Sequence, residues 1–383
     1  MPLKNIMKRV DLIYFDAGSG HRCTAQALVE TIKEKNSSLD LQLVNIQDTE
    51  ILGSLDLLYK ITGISGVEIY NLMLKKDCTF LDPLYLALSR LNINYKYKEG
   101  VSLLAKYWQK RQPDLVVSLI PLFNRILFES LKKIRPSTSL VTVLTDLADC
   151  PPNYWIEKQK QYFICPTERA FEQARNMGHR EESIFRTSGL VINSVFYKGI
   201  TANRILERKR LGLEPNLPTG LVIFGGNGSN AMFKIARILD NLSKKLQLIF
   251  ICGKNEILAN RLRARKNSLP TFVEGFTHNI PYYMHISDFF IGKPGNICVS
   301  EAVQMNLPVI VKHDAVTLVQ EKYVSEWITD NQIGMVLNNW QILDKVVDEL
   351  IKPENLARYR HHISLIRNQG LFETSRIIMN LTS

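Results

Sequence analysis

A glycine-bearing turn at residues 292–296, Gly-Lys-Pro-Gly-Asn, has the composition of a phosphate-binding site. It follows an apolar run at 289–291 and opens a predicted helix, whose N-terminus presents free backbone N–H groups and the positive end of a dipole. Glu301 falls one to two turns into that helix, where a carboxylate can accept hydrogen bonds from ribose hydroxyls. The pattern indicates a nucleotide or nucleotide-sugar site, although an ordinary turn before a helix has the same composition.

A second glycine-rich turn, Gly-Gly-Asn-Gly-Ser at 225–229, follows the apolar run 221–224 and precedes a helical pattern at 231–242. Its glycines allow the backbone to approach an anion closely, and a tight turn without a ligand is the alternative. Phe276 and Thr277 follow another apolar run and can hold a planar base, or the ring can be a buried loop residue. Gln320 and Glu321 offer acceptors suited to sugar hydroxyls, or simply a solvated helix start.

The first half of the chain supplies the candidates for proton transfer. His21 ends the glycine loop 16–21, Asp-Ala-Gly-Ser-Gly-His, and its near-neutral pKa suits a general base for an acceptor hydroxyl. Asp146 follows the apolar run 140–144 and is a second acid/base candidate, or an orienter for His21. Both residues have a simpler interpretation as helix or loop caps.

Apolar strand-like runs alternate with helical patterns along the whole chain. Nearly continuous apolar strands of this kind are typical of parallel sheets covered by helices on both faces. The sequence therefore predicts an α/β protein with two Rossmann-like domains facing a cleft, and ligands bound outside the carboxyl ends of the strands. We expect an acceptor-side domain at 1–190, a nucleotide-sugar domain at 191–352, and a helical segment at 353–383 that crosses back to the first domain.

The formal net charge of +11 favours an anionic partner. A recognisable nucleic-acid-binding motif is missing from the sequence, so an anionic membrane surface or a phosphorylated substrate is the expected partner. The segment 51–76, rich in Leu, Ile and Tyr, reads as a lid, a membrane-apposed element or a set of core helices. The sequence carries no signal-peptide pattern, which predicts a protein of the cytoplasm or of the inner face of a membrane.

Taken in order, these motifs resemble the monogalactosyldiacylglycerol synthase and diacylglycerol glucosyltransferase family. That family is similar to the peptidoglycan N-acetylglucosaminyltransferase of the lipid II pathway. The resemblance spans nearly the whole chain. It implies a GT-B fold and the inverting transfer of a hexose from a UDP-sugar to a hydroxyl acceptor such as diacylglycerol, with neither a metal ion nor another cofactor.

The resemblance also implies roles for particular residues. His21 matches the histidine implicated in acceptor activation, Phe276 the uracil pocket and Glu301 the ribose-binding carboxylate. The diphosphate loop and the contacts to the donor sugar map onto the glycine turn after 224 and onto the pair at 320–321. The complete set of expected site residues is His21 and Asp146 for catalysis, with Gly18, Gly20, Asn124, Gly226, Asn227, Gly228, Phe276, Thr277, Lys293, Pro294, Gly295, Ser300, Glu301, Gln320 and Glu321 for binding.

Three departures from the family pattern leave other functions open. The donor loop ends in Asn296 where the family usually has a further Gly or Pro, and Val324 stands where an Asn is usual. The stretch 150–155 lacks the His that lipid galactosyltransferases typically carry there. The acceptor therefore need not be diacylglycerol, and the hexose is not specified. A non-catalytic UDP-sugar-binding protein and a UDP-sugar epimerase are the alternatives.

Overall fold

The computed structural model describes residues 7–16, 20–36, 38–47, 51–53, 65–75, 79–265 and 269–382. Gly18 lies outside these ranges, as do residues 54–64 and 76 of the segment 51–76. The described residues fall into two compact units, one within Met1–Met73, Leu81–Ser194 and Asn368–Ser383, the other within Leu74–Phe80 and Val195–Arg367. Each unit contains one six-stranded sheet in which every strand pair is parallel.

The first unit is built on a sheet with the strand order β2-β1-β3-β4-β5-β6. Its strands are β1 Lys8–Tyr14, β2 Leu39–Asn45, β3 Leu115–Ser118, β4 Ser139–Val143, β5 Tyr162–Cys165 and β6 Ile184–Arg186. Its helices are α1 Gly20–Lys35, α2 Gly66–Lys75, α3 Asp82–Tyr95, α4 Tyr97–Arg111, α5 Asn124–Ile134 and α6 Glu168–Asn176. The central strand β3 is fully buried because helices cover both faces of a parallel sheet.

The second unit has the strand order β12-β11-β10-β7-β8-β9. Its strands are β7 Thr219–Ile223, β8 Gln247–Ile251, β9 Thr271–Glu274, β10 Phe289–Gly292, β11 Val309–Lys312 and β12 Gly334–Leu337. Its helices are α7 Arg204–Arg210, α8 Ala231–Ile238, α9 Glu256–Arg263, α10 Ile280–His285, α11 Asn296–Gln304, α12 Lys322–Asp330, α13 Leu343–Leu350 and α14 Pro353–Ser364. The predicted α/β class with two parallel sheets is confirmed.

The C-terminal segment, which the sequence predicts to be helical, consists of two helices. Helix α14 ends at Ser364, and α15 Gly370–Thr382 packs against α1 in the first unit. A Cβ atom on Gly370 would lie 2.1 Å from the carbonyl oxygen of Gly189, so only glycine fits this close approach. Glu373 on α15 accepts hydrogen bonds from the backbone and hydroxyl of Ser188.

Candidate active site

His21 lies in the first turn of α1, because this helix begins at Gly20. Its Nδ1 atom is 2.7 Å from the carbonyl oxygen of Leu119, just beyond the end of β3, and 3.2 Å from Oγ1 of Thr145. A carbonyl oxygen only accepts hydrogen bonds, so Nδ1 carries the proton in the neutral ring. The lone pair of the imidazole is therefore on Nε2.

The surroundings of His21 disfavour its charged form. Burial lowers the pKa of His21 from 6.5 to about 4, against a smaller opposing effect of the hydrogen bond to Leu119. The ring of Phe15 lies 4.7 Å away, edge to face, and that of Trp155 5.9 Å away. The N-terminal end of α1 adds positive dipole on the same side. The imidazole is thus neutral at neutral pH and available as a proton acceptor.

Asp146 lies in the loop after β4, and its Oδ2 accepts a hydrogen bond of 2.8 Å from the indole Nε1 of Trp155. Both side chains are buried, with 9% of Asp146 and none of Trp155 exposed. Trp155 in turn contacts the His21 ring, so Asp146 holds the indole that forms one wall beside the histidine. Asp146 is thus linked to His21 through the indole of Trp155. Thr145, the preceding residue of the loop, contacts the imidazole directly.

Asp149 was not among the predicted site residues, yet it organises the loop that carries Trp155. Its carboxylate accepts hydrogen bonds from the backbone N–H groups of Asn153, Tyr154 and Trp155 at 2.6–2.9 Å and more weakly from Ile156 at 3.4 Å. Gln173 on α6 bonds to both the N–H and the carbonyl of Asp149. Burial raises the pKa of Asp149 despite these donors.

Asn124, which was expected to bind ligand, lies at the start of α5 with no exposed surface. Its amide nitrogen donates to the carbonyls of Ile120 and Trp155 at 3.3 and 3.2 Å, and its amide oxygen accepts from the hydroxyl of Thr142. This placement makes Asn124 a support for the backbone at Trp155. Gly20 is the first residue of α1 beside the histidine.

In the second unit, Gly225 to Gly228 form a tight turn between β7 and α8. The N–H of Gly228 donates to the carbonyl of Gly225 at 3.2 Å, and both glycines have positive φ, 72° and 59°. The carbonyl of Gly226 accepts from the N–H of Lys254 at 2.8 Å. Since Gly226 is exposed and Asn227 half-buried, the turn presents its backbone to solvent at the carboxyl end of β7.

The turn after β10 and the residues after β11 meet in the same region of the second unit. Nζ of Lys293 forms an ion pair of 2.7 Å with Glu321, and Nδ2 of Asn296 donates to the carbonyl of Gln320 at 3.3 Å. A Cβ atom on Gly295 would lie 3.3 Å from the Lys293 side chain and 3.5 Å from the Glu321 carboxylate, so the backbone passes close beside the pair. Pro294 and Gly295 are buried, and α11 begins at Asn296.

These loops converge because β11, β10 and β7 are adjacent strands of one parallel sheet. A Cβ atom on Gly225 would lie 4.0 Å from the Lys293 side chain, so the two glycine turns lie next to each other. Backbone N–H groups, one ammonium group and a helix N-terminus therefore share one edge of the sheet. Such an edge is suited to a phosphate-bearing ligand.

Glu301 and its neighbours complete this part of the second unit. Burial raises the pKa of Glu301 from 4.5 to about 8. Ser300 is buried and donates to the carbonyl of Asn296, so its hydroxyl bonds within α11. Val324 has no exposed surface and belongs to the core.

Phe276 and Thr277 occupy the loop after β9. The phenylalanine ring is 51% exposed. Nζ of Lys254 lies 5.7 Å from the centre of the ring and the His278 ring packs against it edge to face at 4.9 Å. Thr277 accepts a hydrogen bond from the N–H of Asn279. The ring is available for stacking on a planar group.

Two parallel-sheet units of this kind define the GT-B fold, and comparison with solved structures confirms it. MnaA of S. aureus, solved with UDP, matches with a TM-score of 0.61 at 17% identity, covering 98% of both chains. MurG of Acinetobacter baumannii matches with 0.60 at 11% identity, covering 97% of this chain and 99% of that one. The UDP-GlcNAc 2-epimerase of Neisseria meningitidis, bound to UDP-GlcNAc, matches with 0.59 at 14% identity, over 98% and 99%. At these identities the likeness establishes the fold alone.

Sequence comparison finds similar proteins in one family. The family described as monogalactosyldiacylglycerol (MGDG) synthase matches residues 21–192, beginning at His21. The probable monogalactosyldiacylglycerol synthase 3, chloroplastic, of Oryza sativa subsp. japonica is 27% identical, with 99% of this chain and 75% of the rice protein aligned. Monogalactosyldiacylglycerol synthase 3, chloroplastic, of Arabidopsis thaliana is also 27% identical, over 98% and 82%. The chain is a relative of the monogalactosyldiacylglycerol synthases, and the predicted resemblance is confirmed.

Proposed function

We propose that this protein is an inverting, metal-independent glycosyltransferase that moves a hexose from a UDP-sugar to a hydroxyl group of a lipid, such as diacylglycerol. The state of His21 carries the proposal. Its Nδ1 atom is held by the carbonyl of Leu119, and the ring is neutral at neutral pH because burial lowers its pKa to about 4. Nε2 then accepts the proton of the acceptor hydroxyl while that oxygen bonds to the anomeric carbon and the bond to the diphosphate breaks.

The second unit supplies the groups for the departing diphosphate in this proposal. The backbone N–H groups of the turn at 225–228 and the N-terminus of α11 stabilise negative charge without a metal ion. Lys293, ion-paired to Glu321 here, is the cation beside these turns. We assign Glu301 to the ribose hydroxyls, Phe276 to the uracil ring and the residues at 320–321 to the hexose, as the family resemblance implies.

The test is transfer by the purified full chain, followed by mass spectrometry with UDP-glucose, UDP-galactose and UDP-N-acetylglucosamine, with and without diacylglycerol. We expect a lipid product heavier by one hexose, in a chelator as well as without it. His21→Gln is expected to lose roughly a hundredfold or more in turnover and to keep its UDP affinity. His179→Gln is the matched control, because His179 is also in the first unit and also contacts a backbone carbonyl, that of Glu157 at 2.8 Å.

Other outcomes of the same assay favour other functions. Conversion of the donor without any acceptor indicates an epimerase, and binding of UDP without transfer or hydrolysis indicates a non-catalytic binding protein. Full activity of His21→Gln contradicts the assignment of the base. Loss of product on chelation contradicts a metal-independent step.

A further inference from the structure

Helix α3, Asp82–Tyr95, presents its apolar side chains outward. Its exposed large residues are Leu84, Leu88, Leu91 and Tyr95, with 58%, 52%, 65% and 78% of their surfaces exposed. These positions recur at helical spacing and form one stripe along the helix, which we call the α3 stripe. Within the described residues of α3, the other exposed positions are Pro83, Ala87 and Asn94, so this face has no charged residue.

The charged residues of α3 are turned toward the protein. Asp82 has no exposed surface, and Arg90 is half-buried and donates to the carbonyl of Pro152 at 3.1 Å. Tyr85 donates to the carbonyl of Gly66, and Leu86 is buried. A helix on the surface of a globular protein normally has the reverse arrangement, with its apolar side chains directed inward. The apolar stripe is therefore left exposed on the surface of the protein.

The flanking sequence indicates which partner fits the stripe. Residues 79–111 contain six Lys or Arg against two Asp or Glu, and the buried Asp82 is one of the two. At the C-terminal end of the stripe, Nζ of Lys96 lies 5.7 Å from the centre of the Tyr95 ring. An aromatic ring and a lysine at the edge of an apolar stripe are the pattern of side chains that lie at a membrane–water interface. The positive flanks are complementary to anionic lipid headgroups.

We propose that the α3 stripe is the surface by which the protein docks on an anionic lipid bilayer, with its leucines among the acyl chains and the lysines at the headgroups. No helix in the described part of the chain is long and apolar enough to cross a membrane. This inference rests on the proposed function, because a lipid acceptor has to be reached at a bilayer surface. It places the contact on α3, beyond the segment 51–76 that the sequence pointed to.

The experiment compares the sedimentation of the full chain with phosphatidylcholine vesicles that contain or lack phosphatidylglycerol. The variant is Leu84→Gln/Leu88→Gln/Leu91→Gln, which changes exposed positions only. The matched control changes three equally exposed apolar residues of the second unit, Leu206→Gln/Ile257→Gln/Leu365→Gln, at 62%, 76% and 70% exposure. The wild type and the control are expected to bind the anionic vesicles, and the α3 variant to bind roughly tenfold or more weakly.

Two results would overturn the docking surface. One is equal binding of the α3 variant and the wild type to anionic vesicles. The other is a wild-type dimer in solution that becomes a monomer in the α3 variant while neither binds vesicles, which would make the stripe a contact between two copies. UDP affinity, measured on the same samples, separates this failure from that of the proposed function: equal vesicle binding by the variant and the wild type, with UDP affinity intact, contradicts the docking surface alone.

Discussion

Asp149 offers a direct test of how the site in the first unit is held together. Only 3% of the residue is exposed, and it accepts three short backbone hydrogen bonds from the loop that carries Trp155. Hydrogen bonds to a charged group contribute about 1.5–3 kcal/mol each, and the cost of burying the carboxylate offsets part of that total. Asp149→Ala is therefore expected to destabilise the first unit by about 3–5 kcal/mol.

Asp149→Asn separates the contribution of charge from that of geometry. Its side-chain oxygen can still accept from Tyr154 and Trp155, which share one oxygen of Asp149, whereas the bond from the exposed Asn153 is lost. We expect a smaller loss of about 1–2 kcal/mol. The exposed ion-pair variant Asp348→Ala, which removes the partner of Lys245, is the control and is expected to cost less than about 1 kcal/mol.

The assay is urea unfolding followed by tryptophan fluorescence, combined with hydrogen exchange of the segment 150–157. In Asp149→Ala the amide hydrogens of Trp155 and Ile156 are expected to exchange faster before global unfolding, because they have lost their acceptor, whereas Tyr154 keeps its bond to the carbonyl of Pro151. Unchanged protection of these amides, with an unfolding free energy close to that of the wild type, would refute the view that Asp149 organises this loop.

Two further predictions concern His21 and the glycine turn of the second unit. Because folding lowers the pKa of His21 from 6.5 to about 4, the unfolded chain binds the proton first, and stability is lost as the pH falls through this interval. Relative to His21→Gln, the wild type is expected to lose about 3 kcal/mol between pH 7 and pH 4 in urea titrations, and equal losses would contradict the pKa shift. Gly253→Ala, whose Cβ would lie 2.2 Å from the Gly226 carbonyl oxygen, is expected to weaken UDP binding by calorimetry roughly tenfold or more, whereas Gly212→Ala, at a similar positive φ in open space, leaves it unchanged.

The sequence predicts the central strands and two of the four edge strands, β2 and β9. Strands such as β3 and β8 consist almost entirely of apolar residues, which is the sequence pattern typical of a strand buried on both faces. The other two edge strands, β6 and β12, are not predicted; they are three and four residues long and partly buried. Short edge strands carry little periodicity, so their existence depends on the neighbour with which they pair.

The candidate site shows a similar division between local motifs and distant contacts. The glycine turns and His21 are recognisable because their composition is local. The partner of His21, the carbonyl of Leu119, is 98 residues away, and Lys293 and Glu321 are 28 residues apart. In the sequence, Asp149 is one more acidic residue before a proline-rich loop. Its role follows only from the backbone path that turns four N–H groups toward it.

The electrostatics of the two units differ in the way that the proposed reaction requires. A general base has to remain unprotonated, and His21 is placed among two aromatic rings, a hydroxyl and a carbonyl, where an imidazolium is poorly stabilised. A leaving diphosphate instead requires hydrogen-bond donors and positive potential, which the turns after β7 and β10 provide through N–H groups and a helix N-terminus, with Lys293 beside them in its ion pair with Glu321. Lys293 Nζ lies 2.7 Å from Glu321. An ammonium group at the same distance from His21 would lower the pKa of the imidazole still further and weaken it as a base. The two requirements conflict within one pocket, and assigning each to a separate folding unit satisfies both.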